Sequence, residues 1–317
     1  MKRKLLLGLI TLGAASMLCG FDSAETADSV MQKMQEAGAA AAGVSMDMGM
    51  NVDVAVNIGD GQTTSTLAVA MSGDFAIDAS MDPFGMKMDG NMKVSALGEG
   101  EEITMKMYGV TNDAGEFETY VYTEDSTSGE AEWAYDKEEG LDMASLMEMS
   151  KSMDAAALSE WGLTFELAPE AADVNGTECY VLSTTMDSST LSSVLAKASE
   201  LSGTDLTADQ DVAAALAMLE GLKLNLSYNV DTATYLPVSM HMDMNGSDLT
   251  TLNALVQSMM ADEDSQTTVE IVLNDVSIDV TTAYGAVEPI TVPQEALDAV
   301  ASGEAESVDE LVEEVAD

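Results

Sequence analysis

The sequence predicts an α+β fold in which antiparallel strands outnumber helices. The clearest indication is a long stretch, 44–58, in which apolar residues alternate with Ser, Asp, Asn and Gly. Alternation with a period of two is typical of a strand with one apolar and one polar face. Further strands follow at short intervals, separated by turn residues, and segments with a period near 3.6 predict helices.

A helix is predicted first, over 26–42. One stripe of a 3.6-residue period carries its apolar residues, Val30, Met34, Ala37 and Ala41. The alternating strand at 44–58 follows. A meander of strands is then predicted at about 64–72, 74–81, 85–96, 102–111, 117–124 and 130–136, with turns at 113–115 and 126–129.

The middle of the chain is predicted to be helical, and strands return toward the end. Helical stripes fall at about 142–153, 191–198, 207–221 and 249–259. Strands are predicted at 163–167, 177–186, 223–231, 236–245 and 267–284. The last of these segments could also be a hairpin, and the shift of its apolar phase between Leu273 and Val276 indicates a bulge or a bend.

The composition excludes several classes of protein. The chain has 57 Asp or Glu against 11 Lys or Arg, a formal net charge of −46. Nucleic-acid binding needs clustered cationic side chains, so it is excluded, and docking on anionic lipid headgroups is disfavoured. The 2 Cys are too few for a disulfide scaffold, and 25 Met against 5 Phe and 2 Trp make methionine the main bulky apolar residue.

The N-terminus predicts export. Residues 1–18 have a basic start and a short apolar stretch, which is the pattern of a signal peptide. Cys19 follows at once and resembles the lipidated cysteine of bacterial lipoproteins, with 19–25 as a tether; ordinary cleavage after Ser16 is the alternative. We therefore expect a monomer on the extracellular face of a bacterial membrane, held there by an N-terminal acyl anchor.

Three stretches of the chain resemble the LolA-like lipoprotein carriers, including the LppX- and LprG-type lipoproteins. They are the helix and long strand of 30–58, the segments 133–149 and 175–182, and the strand pair 224–240. The resemblance implies an open, strongly curved antiparallel sheet, a half-barrel, wrapped over several α-helices. It also implies an apolar cavity for acyl chains. Because no Pro-rich linker divides the chain, we expect a single domain over 26–295, followed by an acidic tail over 296–317. This chain departs from the carriers in its acidity, its methionines and its lack of Arg after residue 18.

The methionines are the candidate ligand-lining residues. They stand two apart in predicted strands, at Met46, Met48, Met50, Met86, Met88, Met105, Met107, Met240, Met242 and Met244. They can fill an ordinary core, or line a cavity for lipid tails, because unbranched thioether chains adapt to ligands of variable shape. Soft-metal binding by Met240, His241 and Met242 is a third reading. Geometry opposes it, since neighbouring side chains of a strand point to opposite faces.

No catalytic, metal or cofactor site is predicted. His241 shares a strand face with Ser239 and Asp243, but residues two apart on a strand lie about 6.6–6.8 Å apart along it, too far for a local triad. The segment 243–248 resembles a calcium loop without its final Glu. We therefore expect a non-enzymatic protein that binds a lipid or another apolar ligand. The alternative is a structural or sensor lipoprotein with a filled core, acting through its acidic face on a protein or cation.

Overall fold

The structure is a computed structural model of the chain. It describes residues 25–59, 63–96, 99–112, 114–138, 159, 162–190, 192–193, 220–260 and 267–308. The helices are α1 (Ala27–Ala39), α2 (Thr250–Met260) and α3 (Gln294–Ser302). The strands of the meander are β1 (Gly43–Gly59), β2 (Thr64–Met81), β3 (Phe84–Ala96), β4 (Glu99–Thr111), β5 (Phe117–Asp125) and β6 (Ala131–Glu138). The later strands are β7 (Glu166–Leu167), β8 (Ala172–Val174), β9 (Thr177–Asp187), β10 (Lys223–Asp231), β11 (Pro237–Asp243), β12 (Thr268–Tyr284) and β13 (Glu306–Ser307).

All these strands belong to one 13-stranded sheet. Its order is β13-β6-β5-β4-β3-β2-β1-β12-β11-β10-β9-β7, with β8 paired to β9. The pairs are antiparallel except for β13 beside β6, which is parallel. β12 joins the two meanders, because it pairs with β1 on one side and with β11 on the other. The sheet is curved and, over the described residues, unclosed, so the expected open antiparallel architecture is confirmed.

The described helices do not form a single layer under the sheet. α1 packs on strands β9 and β10, whereas α3 packs on β4 and β5 at the other face. α2 lies against β12. The helices predicted at 142–153, 191–198 and 207–221 lie wholly or mostly outside the described residues, so the expected wrapping over several helices is not seen in this part of the chain.

The sequence predicted two strands at 64–72 and 74–81, but the structure has one strand, β2, of 18 residues. The residues Ser72, Gly73 and Asp74 suggested a turn. Instead Gly73 stays in the ladder, opposite Met50 of β1 and Met92 of β3. A Cβ at Gly73 would lie 2.6 Å from the ring of Phe75, so glycine here makes room for an aromatic side chain.

The predicted bulge in the last strand is confirmed. The register between β1 and β12 shifts at Asp53 and Val54, where Asp53 faces Asp275 and Val54 faces Leu273. Asn274 is the extra residue. Because the shift restores the alternation, apolar residues of β12 stay on one face along its whole length.

α1 begins with a capping box, and its apolar side chains form part of the core. Thr26 and Ser29 exchange side-chain-to-backbone hydrogen bonds, which satisfy N–H groups that the first turn leaves free. Val30, Met31 and Met34 are then fully or almost fully buried. They pack in one cluster with residues of β9 and β10, namely Leu182, Met186, Leu226, Tyr228 and Val230.

The described part of the predicted acidic tail packs on the sheet. Ala296 of α3 is fully buried against Tyr108 and Tyr120. Beyond it, β13 pairs with β6, and Val308 packs against Val121. Residues 309–317 lie outside the described chain.

α2 covers the edge of β12 where β11 ends. The side-chain amide of Asn253 donates to the backbone O of Ile271 and accepts from its N–H, at 3.1 and 2.6 Å. Gln257 does the same with Thr267 O and Val269 N–H, at 2.6 and 2.7 Å. The side-chain amides of Asn253 and Gln257, one helical turn apart, therefore make the backbone hydrogen bonds that a neighbouring strand would make, and this protects the edge of β12.

Candidate functional site

The predicted methionines that lie within strands all fall on one face of the sheet. Residues directly opposed in neighbouring antiparallel strands lie on the same face. Met46 opposes Ile77, Ile77 opposes Met88, and Met88 opposes Met107. We call this the methionine face, formed by Met46, Met48, Met50, Met71, Met86, Met88, Met92, Met105, Met107, Met240 and Met242. These side chains are half-buried.

The methionine face carries no charged side chain over a broad part of the sheet. On the adjacent strands β3, β2, β1, β12, β11 and β10, the residues that alternate onto this face are apolar, Gly, Ser, Thr, Pro or Tyr. The first acids on this face appear at Glu101 of β4 and Glu178 of β9. A surface of this kind suits an apolar partner, because charge taken out of water is costly.

An aromatic ring forms the middle of the face. Phe75 of β2 opposes Met48 of β1 and Gly90 of β3. Its ring occupies the space where side chains at Gly73 and Gly90 would stand, and it is 8% exposed. The ring therefore lies along the sheet rather than standing up from it.

One end of the face is covered and joins the core. Met240 and Met242 of β11 pack against the cluster formed by α1, β9 and β10. Met240 opposes Tyr228, which is fully buried, and Met242 opposes Leu226. Met244, also predicted as a lining residue, comes just after β11 and donates its N–H to Val276 O at 3.2 Å.

Sequence reasoning missed three members of this face: Met71, Met92 and Phe75. Met71 and Met92 are not part of a Met-x-Met pair, so the spacing did not select them. The alternation of side chains along a strand could have identified them. Met92, for example, stands four residues after Met88 in the same strand and therefore shares its face. For Phe75 the place of the ring over two glycines depends on the register of β2 and β3, which the sequence does not show.

His241 lies on the opposite, polar face, as the alternation predicted. Its Nδ1 is 2.7 Å from Asp279 Oδ1, and its Nε2 is 3.3 Å from Asp243 Oδ2. The hydrogen bond with Asp279 raises the pKa of the imidazole above its ordinary value of 6.5. Ser239 is not part of this group, because its Oγ accepts a hydrogen bond from Asn229.

The contact between His241 and Asp243 corrects the sequence analysis, which expected residues two apart on a strand not to meet. Their side chains lean toward each other across the face. Among the described residues no nucleophile completes the arrangement, so it is an ion-pair cluster rather than a triad. Asp279 could not be found from the sequence, because it lies 38 residues away and meets His241 only through the register of β11 and β12.

The segment that resembled a calcium loop uses its carboxylates in turns. Asp243 Oδ1 accepts from Asn225 Nδ2 and from Asn245 N–H, at 2.8 and 2.7 Å. Asp248 accepts from Thr250 N–H at 2.9 Å. In the part of the chain that the structure describes, no group of three or more His, Cys, Asp or Glu side chains is arranged to hold a metal ion.

The polar face carries an open depression of ≈590 Å³. Acids dominate its lining: Asp47, Asp74, Asp89 and Asp279. Since a carboxylate is costly to remove from water, this face is suited to solvent, cations or a cationic protein.

Of the two cysteines, the structure describes only Cys179. Cys19, the predicted lipidation site, lies outside the described residues. Cys179 is fully buried and free, and burial raises the pKa of its thiol. Such a thiol has little thiolate character and is inert. Among the described helices, none is both long and apolar enough to cross a membrane.

The fold and the methionine face together define an open-sheet protein with an apolar surface that carries no charge on β3, β2, β1, β12, β11 and β10. The chain belongs to a family of unknown function, DUF6612, whose model matches residues 26–301. No curated protein matches the chain in sequence.

Solved structures similar to this chain include two mycobacterial lipoproteins and a lipoprotein-sorting domain. LppX of Mycobacterium tuberculosis is 13% identical, with a TM-score of 0.32, covering 83% of this chain and 96% of LppX. LprF of Mycobacterium bovis is 15% identical, with a TM-score of 0.31, covering 78% and 90%. A putative outer membrane lipoprotein-sorting protein domain of Vibrio parahaemolyticus is 10% identical, with a TM-score of 0.24, covering 84% and 96%. The predicted resemblance to this group is confirmed, but at these TM-scores it carries no argument about function.

Proposed function

We propose that this protein is an exported, non-enzymatic lipoprotein that binds an apolar ligand, the acyl chains of a lipid, in a cavity lined by the methionine face. The observation that carries the proposal is the absence of charge on that face across β3, β2, β1, β12, β11 and β10, in a chain with a net charge of −46. Acids avoid this face although they crowd the other one.

Binding on this face requires no chemistry. Each Å² of apolar area removed from water stabilises a complex by about 25 cal/mol. Half-buried thioether chains adjust to ligands of different length at little cost, because methionine has no branched carbon to fix its shape. Met244, at the end of β11, extends the lining in this proposal.

Native mass spectrometry of the purified protein, prepared without detergent, tests the proposal. We expect a reproducible added mass that matches a lipid in an organic extract of the same sample. If the protein mass stays bare after incubation with membrane lipids, the lipid-binding proposal is wrong.

A pair of charge variants locates the site. Met48→Asp and Met242→Asp put a carboxylate on the methionine face and should abolish the added mass. Ser72→Asp is the matched control: it adds the same charge to β2, but on the polar face and opposite Lys93. Equal loss of lipid in all three variants would show a general effect of charge and contradict the assignment. Thermal unfolding of each variant shows whether the fold survives.

The anchor is tested separately. In our proposal Cys19 carries the acyl chains that hold the protein at the outer face of the membrane. Cys19→Ala should then move the protein from the membrane fraction to the medium of a bacterial host. Continued membrane retention of Cys19→Ala would refute the lipid anchor without affecting the proposed ligand site.

A second candidate function rests on the acidic depression of the polar face. A structural or sensor lipoprotein with a filled core would act there, through Asp47, Asp74, Asp89 and Asp279, on a protein or cation. It predicts a bare mass together with a partner whose binding weakens at high salt.

A further inference from the structure

Strands β3 and β4 bring several thioethers together on the methionine face. Their methionines are Met86, Met88, Met92, Met105 and Met107. Met88 and Met107 are directly opposed in the ladder, which places their Cβ atoms about 4.5–5.5 Å apart. Met105 opposes Gly90 and is therefore diagonal to Met88, about 7–8 Å away and within reach of a long side chain.

The side chains directly opposite these three methionines on the neighbouring strands are uncharged, and the one polar group among them is the hydroxyl of Thr123, opposite Met105. Met107 opposes Val121 on the β5 side, and Met88 opposes Ile77 on the β2 side. Gly90 offers no side chain, and the ring of Phe75 fills its place. The ring lies along the sheet, and its π-system attracts a cation held over its face.

The donor type selects the ion. Thioethers are soft, uncharged ligands that favour Cu(I), whereas carboxylates and carbonyls favour hard cations such as Ca²⁺ and Mg²⁺. The carboxylates of β1, β2 and β3 lie on the other face. There they attract cations to the protein without competing for a soft one. The thiol of Cys179 is buried and does not compete either.

We propose that Met88, Met105 and Met107 form a site for a soft monovalent cation, Cu(I), ligated by sulfur alone. The site differs from the Met240–His241–Met242 segment that the sequence offered. There the imidazole faces away from both sulfurs and is held between Asp279 and Asp243. A thioether takes up no proton at ordinary pH, so the affinity should not depend on pH, unlike that of a histidine or thiolate site.

Anaerobic titration of the purified protein with Cu(I), in competition with a chromophoric Cu(I) chelator, tests the site. We expect about one equivalent bound, with sulfur-only ligation in X-ray absorption. The same affinity is expected at pH 6 and pH 8. Ag(I), a redox-inert probe with the same preference for sulfur, should bind with the same stoichiometry in native mass spectra.

The decisive variant is Met88→Leu with Met107→Leu, which keeps the volume and apolar character of the face. It should weaken Cu(I) binding by at least about tenfold. The matched control, Met240→Leu with Met242→Leu, should bind Cu(I) as the parent does. Each single leucine variant should give a partial loss if the double variant does not fold.

Three results would overturn the site. They are Cu(I) binding by the double variant at parental affinity, loss of binding in the control pair, and nitrogen or oxygen ligation in the absorption spectrum. Each concerns only the ligands of Cu(I), so each leaves the lipid-binding proposal intact. Conversely, a protein without bound lipid that holds Cu(I) would support this inference and contradict the proposed function.

Discussion

The two parts of the apolar face differ in how they are covered. At the β9–β10 end, Leu182, Tyr228 and Val230 are fully buried beneath α1. In the centre, on β1 to β4, residues such as Met48 and Met88 are only half-buried. Neither β1, β2 and β3 in the centre nor β10 at the covered end carries a charged side chain on this face. Charge therefore does not explain the difference in burial.

The difference shows what each part packs against. Side chains of defined shape pack closely against a fixed helix, because branched and aromatic residues can fill the space beneath it without voids. A partner without a fixed shape is better met by flexible thioethers. Methionine occurs in both parts, since Met34 and Met186 belong to the covered cluster. The difference therefore lies in the cover: α1 lies over one part, and in our proposal an exchangeable ligand covers the other.

The largest expected effect comes from the same truncation made in both parts. Met34 of α1 is fully buried, whereas Met48 of β1 is half-buried. Met34→Ala should lower the free energy of unfolding by about 2–5 kcal/mol, because it leaves a cavity in the core. Met48→Ala should cost only about 1 kcal/mol, as less area leaves contact. Urea unfolding measures both; equal losses would mean that the centre is packed like the covered end.

The edge of β12 is bounded by polar groups instead of an apolar layer. Asn253→Leu with Gln257→Leu would leave the N–H and C=O of Ile271, the N–H of Val269 and the C=O of Thr267 without their side-chain partners. Each such loss should cost about 1–3 kcal/mol, and the freed edge should pair with other chains. Hydrogen exchange at Ile271 and Val269 should accelerate, and size-exclusion chromatography should show oligomers. Unchanged exchange would contradict the role of α2 as an edge cap.

The junction that holds α1 over the covered end should contribute less. Tyr235 Oη accepts from Lys33 Nζ at 3.1 Å and donates to Glu25 Oε1 at 3.0 Å, which ties α1 to the β10–β11 turn. Tyr235→Phe keeps the ring but removes both bonds, and should lower the free energy of unfolding by about 1 kcal/mol. Tyr122→Phe, at the far end of the sheet, is the control: it removes a hydrogen bond to Glu124 but leaves α1 untouched. Protection of α1 amides should fall in the first variant alone.

The sequence predicted the methionine face well and its surroundings poorly. Alternation over 44–58 was enough to place Met46, Met48 and Met50 on one side of β1, because that information is local. The continuity of β2 through Gly73 was missed, since a glycine between polar residues reads as a turn unless the ring of Phe75 is known to need its space.

Contacts between strands distant in the sequence could not be predicted at all. The partner of His241 depends on the register of β11 against β12, and a shift of one residue would place Asp279 on the other face. The bulge at Asn274 was predictable, because the break in the alternation of apolar residues lies within a single strand and is visible in the local sequence. The sequence therefore indicates which residues share a face but not which of them meet.

The smallest expected effect concerns the polar side of the same strands, directly behind Met240 and Met242. Both nitrogens of His241 face carboxylates, and only the protonated ring can donate to Asp279 and Asp243 together. Because the hydrogen bond to Asp279 raises the pKa of His241 in the folded protein, its contribution is fully present below the unfolded pKa of about 6.5 and is lost as pH rises through the folded value. The side chain is 44% exposed, so screening limits the loss to less than about 1 kcal/mol.

Urea unfolding between about pH 6 and pH 9 measures this dependence, with His241→Gln as the variant that should remove it. The neighbouring groups Ser227 of β10 and Thr281 of β12 do not titrate in this range, so on this face the slope comes from the histidine. A slope that persists in His241→Gln would assign the dependence to other groups. If lipid affinity stays constant over the same range while stability changes, the two faces of β11 act independently, and the division between a charged face and an apolar face extends from structure to function.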